Sequence, residues 1–174
     1  MTKHAADDYL LYIGTYTRGR REGIYVYRMD GASGALERVA DPTIIDNPSF
    51  VTIDPQRRHL YAVSESSEVA DTPGGVVSAF SIDPAKGALA YLGQRSTGGE
   101  GPCHLVVDAT GNFLLVANYV SGSVCVLPIQ DGGALGPATD FVQHQGSSVD
   151  PERQTGPHAH SVTLDAANRL VFAA

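Results

Sequence analysis

The sequence predicts an all-β fold built from repeated four-stranded units. Three segments resemble one another, each an apolar run that closes on an aspartate, at residues 48–54, 102–108 and 159–165. A short polar turn and a second apolar run follow each segment, which is the pattern of a β-hairpin. No amphipathic helix is evident between the hairpins of this 174-residue chain. Four short strands per unit of about 50 residues are typical of the blades of a β-propeller.

The other two strands of each unit are predicted from period-two alternation and from a repeated triplet. Third strands with alternating apolar side chains are expected at residues 23–29, 76–82 and 123–129. A Gly-Ala-Leu triplet announces the fourth strand at residues 34–36, 87–89 and 133–135. A β-sandwich also has strands at short intervals, but it has no reason to repeat a four-strand sequence unit.

These strands divide the chain into about three and a half blades. Strands two to four of a first blade are expected at residues 9–40, and two whole blades at 48–95 and 102–144. The first two strands of a fourth blade are expected at residues 159–174. Because a propeller closes four to eight blades into a ring, we expect the chain to be part of a longer one.

Composition argues against nucleic-acid and membrane partners. The net charge is −7 and the 12 lysines and arginines are scattered, so no basic stripe is available for a phosphate backbone. No stretch approaches the roughly 18 consecutive apolar residues that a membrane helix requires, and the polar start lacks a secretory signal. The expected compartment is therefore the cytoplasm.

The two cysteines, Cys103 and Cys125, are predicted to lie two strands apart, which is beyond disulfide reach. We interpret both as reduced packing residues. A nucleophilic role is the alternative, although neither cysteine has the electropositive surroundings that lower a thiol pKa.

The longest link between strands, residues 143–160, carries most of the unusual polar side chains and should lie on the face where propeller loops collect function. His158 and His160 flank the start of an inner strand, two positions apart, so both side chains point to the same side. Such a pair suits acid–base work near neutral pH. Metal ligation and simple anchoring of the loop are the alternatives, and no companion ligands at metal spacing are evident.

Two further side chains are expected on the same face. His104 occupies the corresponding start of an inner strand in the preceding blade, where a packing role is equally open. Glu65 ends the second strand of its own blade and is the one carboxylate there at this level.

The sequence resembles the seven-bladed propeller lactonase family, which includes bacterial 6-phosphogluconolactonase and a fungal carboxymuconate cyclase. The resemblance spans nearly the whole chain and corresponds to the first half of a family member. The matching stretches are residues 13–17 (IGTYT), 47–50 (NPSF), 60–65 (LYAVSE), 101–105 (GPCHL), 117–124 (ANYVSGSV), 143–146 (QHQG) and 151–161 (PERQTGPHAHS).

The resemblance implies a seven-bladed parent that hydrolyses a sugar lactone such as 6-phosphogluconolactone, with no metal or other cofactor. It places the family's proposed catalytic histidine at His160, while the family's arginine and glutamate would fall after residue 174. We assign His160 as the general base, with His104, His158, Arg153 and Glu65 as groups that bind the lactone. A cycloisomerase of carboxymuconate-type lactones and a non-catalytic binding propeller are the alternatives.

Overall fold

Every regular element in the part of the chain that the structure describes, residues 8–17, 22–65, 68–69 and 72–174, is a β-strand. The structure is a computed structural model. No helix in these residues is long and apolar enough to cross a membrane. The predicted all-β fold of antiparallel blades is confirmed.

Apart from one small hairpin, the described strands form four sheets that follow one another along the chain, each with its strands in sequence order and antiparallel. The first blade holds β1 (Tyr9–Ile13), β2 (Tyr25–Met29) and β3 (Leu36–Arg38). The second holds β4 (Val51–Ile53), β5 (His59–Ser64), β8 (Val76–Ile82) and β9 (Leu89–Ser96). A small hairpin, β6 (Glu68–Val69) and β7 (Thr72–Pro73), lies in the link between β5 and β8.

The third blade is also four-stranded, and two strands of a fourth blade follow it. The third holds β10 (Pro102–Val107), β11 (Phe113–Asn118), β12 (Ser123–Pro128) and β13 (Asp140–Gln143). The last sheet pairs β14 (Val162–Leu164) with β15 (Val171–Ala173). The innermost strands β4, β10 and β14 are neighbours in space, so the side chains at their starts come together.

Period-two alternation explains how the blades stack. Leu60 and Ala62 of β5 pack toward the first blade, in a cluster with Ile24. Tyr61 and Val63, the residues between and after them, pack toward the third blade instead. Because successive side chains of a strand point to opposite faces, a second strand buried on both faces must be apolar throughout. This accounts for the continuous apolar runs that the sequence repeats.

The repeated aspartates cap the turn of each hairpin. Asp54, Asp108 and Asp165 each accept hydrogen bonds through Oδ1 from the backbone N–H groups four and five residues later, at 2.6 to 3.0 Å. A carboxylate that accepts two backbone N–H bonds fixes the tight turn and satisfies donors that would otherwise be unpaired. The sequence repeat therefore records a local hydrogen-bonding requirement.

Asp108 also ties the third blade to the fourth. Its Oδ2 accepts a hydrogen bond of 3.0 Å from Asn168 Nδ2, while Asn168 Oδ1 accepts one of 3.0 Å from the backbone N–H of Ala109. Burial alone would raise the pKa of Asp108, but hydrogen bonds led by those from Thr110 and Phe113 outweigh it and lower the pKa to about 2. The carboxylate is therefore ionised at any physiological pH.

Asp108→Ala is expected to lower the free energy of unfolding by about 3 kcal/mol, because several part-buried hydrogen bonds to a charged acceptor are lost at once. Urea denaturation at pH 7 measures the loss. Asp131→Ala is the matched control, since Asp131 is an exposed turn residue, and it should leave the midpoint within experimental error. Equal midpoints for the two variants would contradict the capping role.

Tyrosine hydroxyls join consecutive blades at the Gly-Ala-Leu triplets. Tyr12 Oη donates to the carbonyl of Gly87 at 2.9 Å, and Tyr61 Oη donates to that of Gly133 at 3.1 Å. Gly133 has a φ of +88°, and a Cβ there would lie 2.1 Å from the His59 ring, so only glycine fits this position. Part of the triplet signal thus comes from contact between blades.

The fourth strand of the third blade begins later than the triplet predicts. In the first two blades the strand starts at the leucine of the triplet, as β3 and β9 do. In the third, Leu135 makes only an isolated bridge to Ile129, and β13 begins at Asp140. Pro137 explains the difference, because proline has no N–H to donate to a ladder.

Candidate functional site

His104 connects the inner strands of three consecutive blades. It lies on β10, its ring packs on Phe50 at a centroid distance of 4.3 Å, and its Nδ1 accepts a hydrogen bond of 3.3 Å from the backbone N–H of Val162. Because Nδ1 is the acceptor, the neutral ring carries its proton on Nε2. His104 is therefore a fixed hydrogen-bond donor.

Tyr119 brings together the three site residues predicted in the long loop. The ring of His158 stacks on that of Tyr119 at 4.6 Å, and the ring of His160 meets it edge-on at 5.8 Å and 88°. The Tyr119 hydroxyl lies 3.5 Å from Nη2 of Arg153. One tyrosine thus contacts both histidines and the arginine.

The two loop histidines differ in how firmly their nitrogens are held. His158 Nδ1 donates to the carbonyl of Tyr119 at 2.9 Å, so the neutral ring has its lone pair on Nε2. His160 is exposed, and its ring makes no side-chain hydrogen bond to any residue that the structure describes. Its backbone is anchored, because its N–H donates to the carbonyl of Ala174. His160 therefore presents a free imidazole on a fixed strand.

The turn after β11 sets the position of this loop. Gly122 closes the turn with a φ of +62°, and a Cβ at this residue would lie 2.1 Å from the carbonyl oxygen of Pro157. The turn that carries Tyr119 consequently packs directly against the residue before His158. A residue with a side chain at this point would push the loop off the turn.

Glu65 lies on the other side of the cluster, next to the first blade. Its Oε2 accepts a hydrogen bond of 2.7 Å from the hydroxyl of Tyr16, and this bond raises the pKa of Tyr16. The thiol of Cys103 lies 3.4 Å from the backbone carbonyl of His160. Burial, and after it the charge of Glu65, raises the pKa of Cys103. Cys103 is therefore a protonated packing thiol.

Three of the five predicted site residues, His158, His160 and Arg153, meet at Tyr119. His104 bonds to the backbone of Val162, two residues after His160, and the charge of His160 lowers the pKa of His104. Glu65 bonds to Tyr16 and makes no hydrogen bond or ion pair with the other four. Tyr119 and Tyr16 were not predicted. A usable signal existed, because Tyr119 follows Asp108 by eleven residues, as Glu65 follows Asp54.

Neither the cysteines nor the other described features provide a second candidate site. Cys103 and Cys125 are both free, as predicted, and burial raises the pKa of Cys125 to about 12. No group of three or more His, Cys, Asp or Glu side chains in the described ranges could hold a metal ion. A cavity of about 500 Å³ between the first two blades, bordered by Ile44, Phe80 and Tyr91, contains none of the five site residues.

The pKa of His104 makes stability depend on pH. Burial, and then the charge of His160, lowers this pKa below its usual 6.5. The unfolded chain thus binds a proton at a pH where the folded one does not, so stability is full above about pH 6.5 and falls as the pH drops through the lowered value. Protonation would also displace the Val162 N–H bond.

We expect His104→Gln to reduce this loss, because a glutamine oxygen can still accept from Val162 without titrating. Urea midpoints at pH 7.5 and 5.5 give the difference directly. His144→Gln, in a half-buried histidine of the loop, is the control and should keep the wild-type difference. If the His104 variant shows the same difference between the two urea midpoints as the wild type, His104 is not the cause of the acid sensitivity.

Comparison with known proteins gives one consistent family. The model of the seven-bladed β-propeller lactonases matches residues 10–174. The 6-phosphogluconolactonase of Bacillus subtilis is 38% identical over 165 residues, which cover 95% of this chain and 46% of that protein.

Solved structures agree with the sequence match. A putative 6-phosphogluconolactonase from Bacteroides fragilis superposes with a TM-score of 0.87 at 34% identity, over 99% of this chain and 46% of the other. The periplasmic gluconolactonase of Pseudomonas aeruginosa gives a TM-score of 0.87 at 36% identity, over 96% of this chain and 47% of the other. The chain spans about half the length of these relatives. The chain belongs to the seven-bladed β-propeller lactonase family.

Proposed function

We propose that the protein hydrolyses a sugar lactone, with 6-phosphogluconolactone as its substrate, at the histidine cluster around Tyr119. One observation carries the proposal: His160 offers an imidazole free of side-chain hydrogen bonds among the described residues, beside two histidines held in defined tautomers. The 38% identity to a protein named 6-phosphogluconolactonase supports the substrate.

In the proposed reaction, a water molecule attacks the lactone carbonyl through its oxygen, and His160 takes a proton from that water. The carbonyl oxygen becomes an oxyanion, which accepts a hydrogen bond from Nε2–H of His104. The bond between the carbonyl carbon and the ring oxygen then breaks. The protonated His160 returns its proton to that oxygen, so the product is a sugar acid and His160 is regenerated.

The other predicted residues are proposed to orient the sugar. Glu65 keeps Oε1 available for a hydroxyl while Oε2 holds Tyr16. His158 and Arg153 are held beside His160 by Tyr119, which contacts His158 through its ring and Arg153 through its hydroxyl. Several weak contacts that orient the lactone toward the attacking water lower the entropic part of the activation barrier.

The proposed compartment is the cytoplasm. The two cysteines are free rather than joined in a disulfide, which is the usual state of cysteines in the cytoplasm.

Isotope labelling tests the reaction type. The protein, expressed from its full reading frame, is incubated with 6-phosphogluconolactone in water enriched in ¹⁸O, and the product is analysed by mass spectrometry. We expect one ¹⁸O in the carboxylate, formed at a rate proportional to protein concentration. Conversion of a muconate without label would indicate a cycloisomerase. If the protein accelerates the hydrolysis of no lactone, the result would favour a non-catalytic binding propeller.

A further inference from the structure

A polar cavity of about 540 Å³ lies inside the long loop, directly beside the histidine cluster. Its lining includes six residues whose side chains carry hydrogen-bonding groups: Gln145, Ser147, Ser148, Arg153, Gln154 and His158. None of the carboxylates of the described chain lines it. The cavity therefore offers an anion several donors, while the carboxylates of the loop, Asp150 and Glu152, lie outside its lining.

The charge of Arg153 is not neutralised. The only ion pair in the described residues joins His59 to Asp54, far from this loop in the sequence. The adjacent Glu152 is exposed and makes no ion pair with a described residue, and Asp150 accepts the backbone N–H groups of Glu152 at 2.9 Å and Arg153 at 3.0 Å. Its oxygen is thus turned onto the loop backbone, and the guanidinium keeps four of its five N–H donors beyond the contact with Tyr119.

His158 also lines this cavity. Its Nδ1 donates to the carbonyl of Tyr119, and its Nε2 has no hydrogen-bond partner in the part of the chain that is described. A guanidinium, an imidazole ring and two serine residues therefore line one space.

We infer that this cavity binds the phosphate group of a phosphorylated sugar lactone. A phosphate monoester carries a charge of about −1.5 to −2 near pH 7 and has three strong acceptor oxygens. It can use donors from several directions at once, whereas a flat carboxylate is satisfied by the arginine fork alone. The inference rests on the proposed function, because it makes the cavity the subsite that separates phosphorylated from unphosphorylated substrate.

The position of the cavity fits that assignment. His158 lines the cavity and stacks on Tyr119, and the edge of the same tyrosine ring meets His160. One aromatic side chain therefore separates the anion cavity from the proposed base.

Arg153→Gln tests the subsite in the protein from its full reading frame. The measurement is the ratio of kcat/KM for 6-phosphogluconolactone to that for unphosphorylated gluconolactone. We expect the ratio to fall about 30-fold, since charge-assisted hydrogen bonds are lost on one substrate only. Arg169→Gln, an exposed arginine in the turn between β14 and β15, is the control and should keep the wild-type ratio. An unchanged ratio in Arg153→Gln overturns the inference.

Calorimetry separates failure of the subsite from failure of the proposed function. If the wild type hydrolyses neither lactone, the function fails, and binding of inorganic phosphate still reports on the cavity. Binding by the wild type that Arg153→Gln weakens about tenfold or more supports the phosphate site. Equal binding by both proteins overturns it. Tighter binding of glucuronate than of glucose 6-phosphate would assign the cavity to carboxylates and also overturn it.

Discussion

His160→Ala is expected to lower kcat/KM for 6-phosphogluconolactone by about a hundredfold to ten-thousandfold, which is the range for loss of a general base. The reason lies in the geometry: of the three clustered histidines, only His160 has no side-chain hydrogen bond to a described residue. The loss should fall mainly on kcat, because the sugar would still bind to the surrounding groups.

The control is His144→Ala, in the same loop but outside the contacts that join the cluster. Its kcat/KM should stay within about twofold of the wild-type value, because substitutions away from a site usually change free energies by no more than about 0.5 kcal/mol. Rates are taken above the spontaneous hydrolysis measured without protein. Wild-type kcat/KM in the His160 variant would remove this residue from the mechanism.

Tyr119→Leu should give the second largest loss of activity, about 30-fold in kcat/KM. Two aromatic contacts, the stack with His158 and the edge contact with His160, contribute about 1 kcal/mol each, and the rate falls tenfold for every 1.4 kcal/mol. Tyr119 acts through these histidines, so it is a positioning residue.

Tyr119→Phe separates ring contacts from the hydroxyl. The phenyl ring keeps both aromatic contacts, and only the 3.5 Å contact with Arg153 is lost. We expect Tyr119→Phe to keep most of the wild-type kcat, unlike Tyr119→Leu. Tyr91→Leu, which removes an exposed ring packed on Phe80 away from the site, should leave kcat unchanged. Equal losses in the Leu and Phe variants at Tyr119 would contradict the positioning role.

The blade pattern could be predicted because its causes are local in sequence. Asp54, Asp108 and Asp165 bond to N–H groups four and five residues away, so the motif is complete within one hairpin. Alternation of side chains along a strand is equally local. The late start of β13 was missed, because Pro137 outweighs a triplet whose signal partly reports contact with the preceding blade.

The site was harder to predict, because it forms only when blades stack. Tyr16 and Glu65 each lie four residues after a tyrosine that bonds to the next blade, Tyr12 and Tyr61 respectively. Tyr119 occupies the matching position in the third blade. Equivalent positions after the second strands thus supply Tyr16, Glu65 and Tyr119, of which the first two bond to each other. Read singly, a tyrosine at a strand end indicates nothing, and only the stacked repeat reveals the cluster.

The most direct test of the account is histidine NMR of the ¹⁵N-labelled protein during titration with 6-phosphogluconate, the stable product. We expect His104, His158 and His160 to shift together on binding, while His59 and His144 stay in place. Before ligand is added, the neutral rings should carry their protons on Nε2 in His104 and on Nδ1 in His158. Saturating product that leaves these three signals unmoved would contradict a lactone site at this cluster.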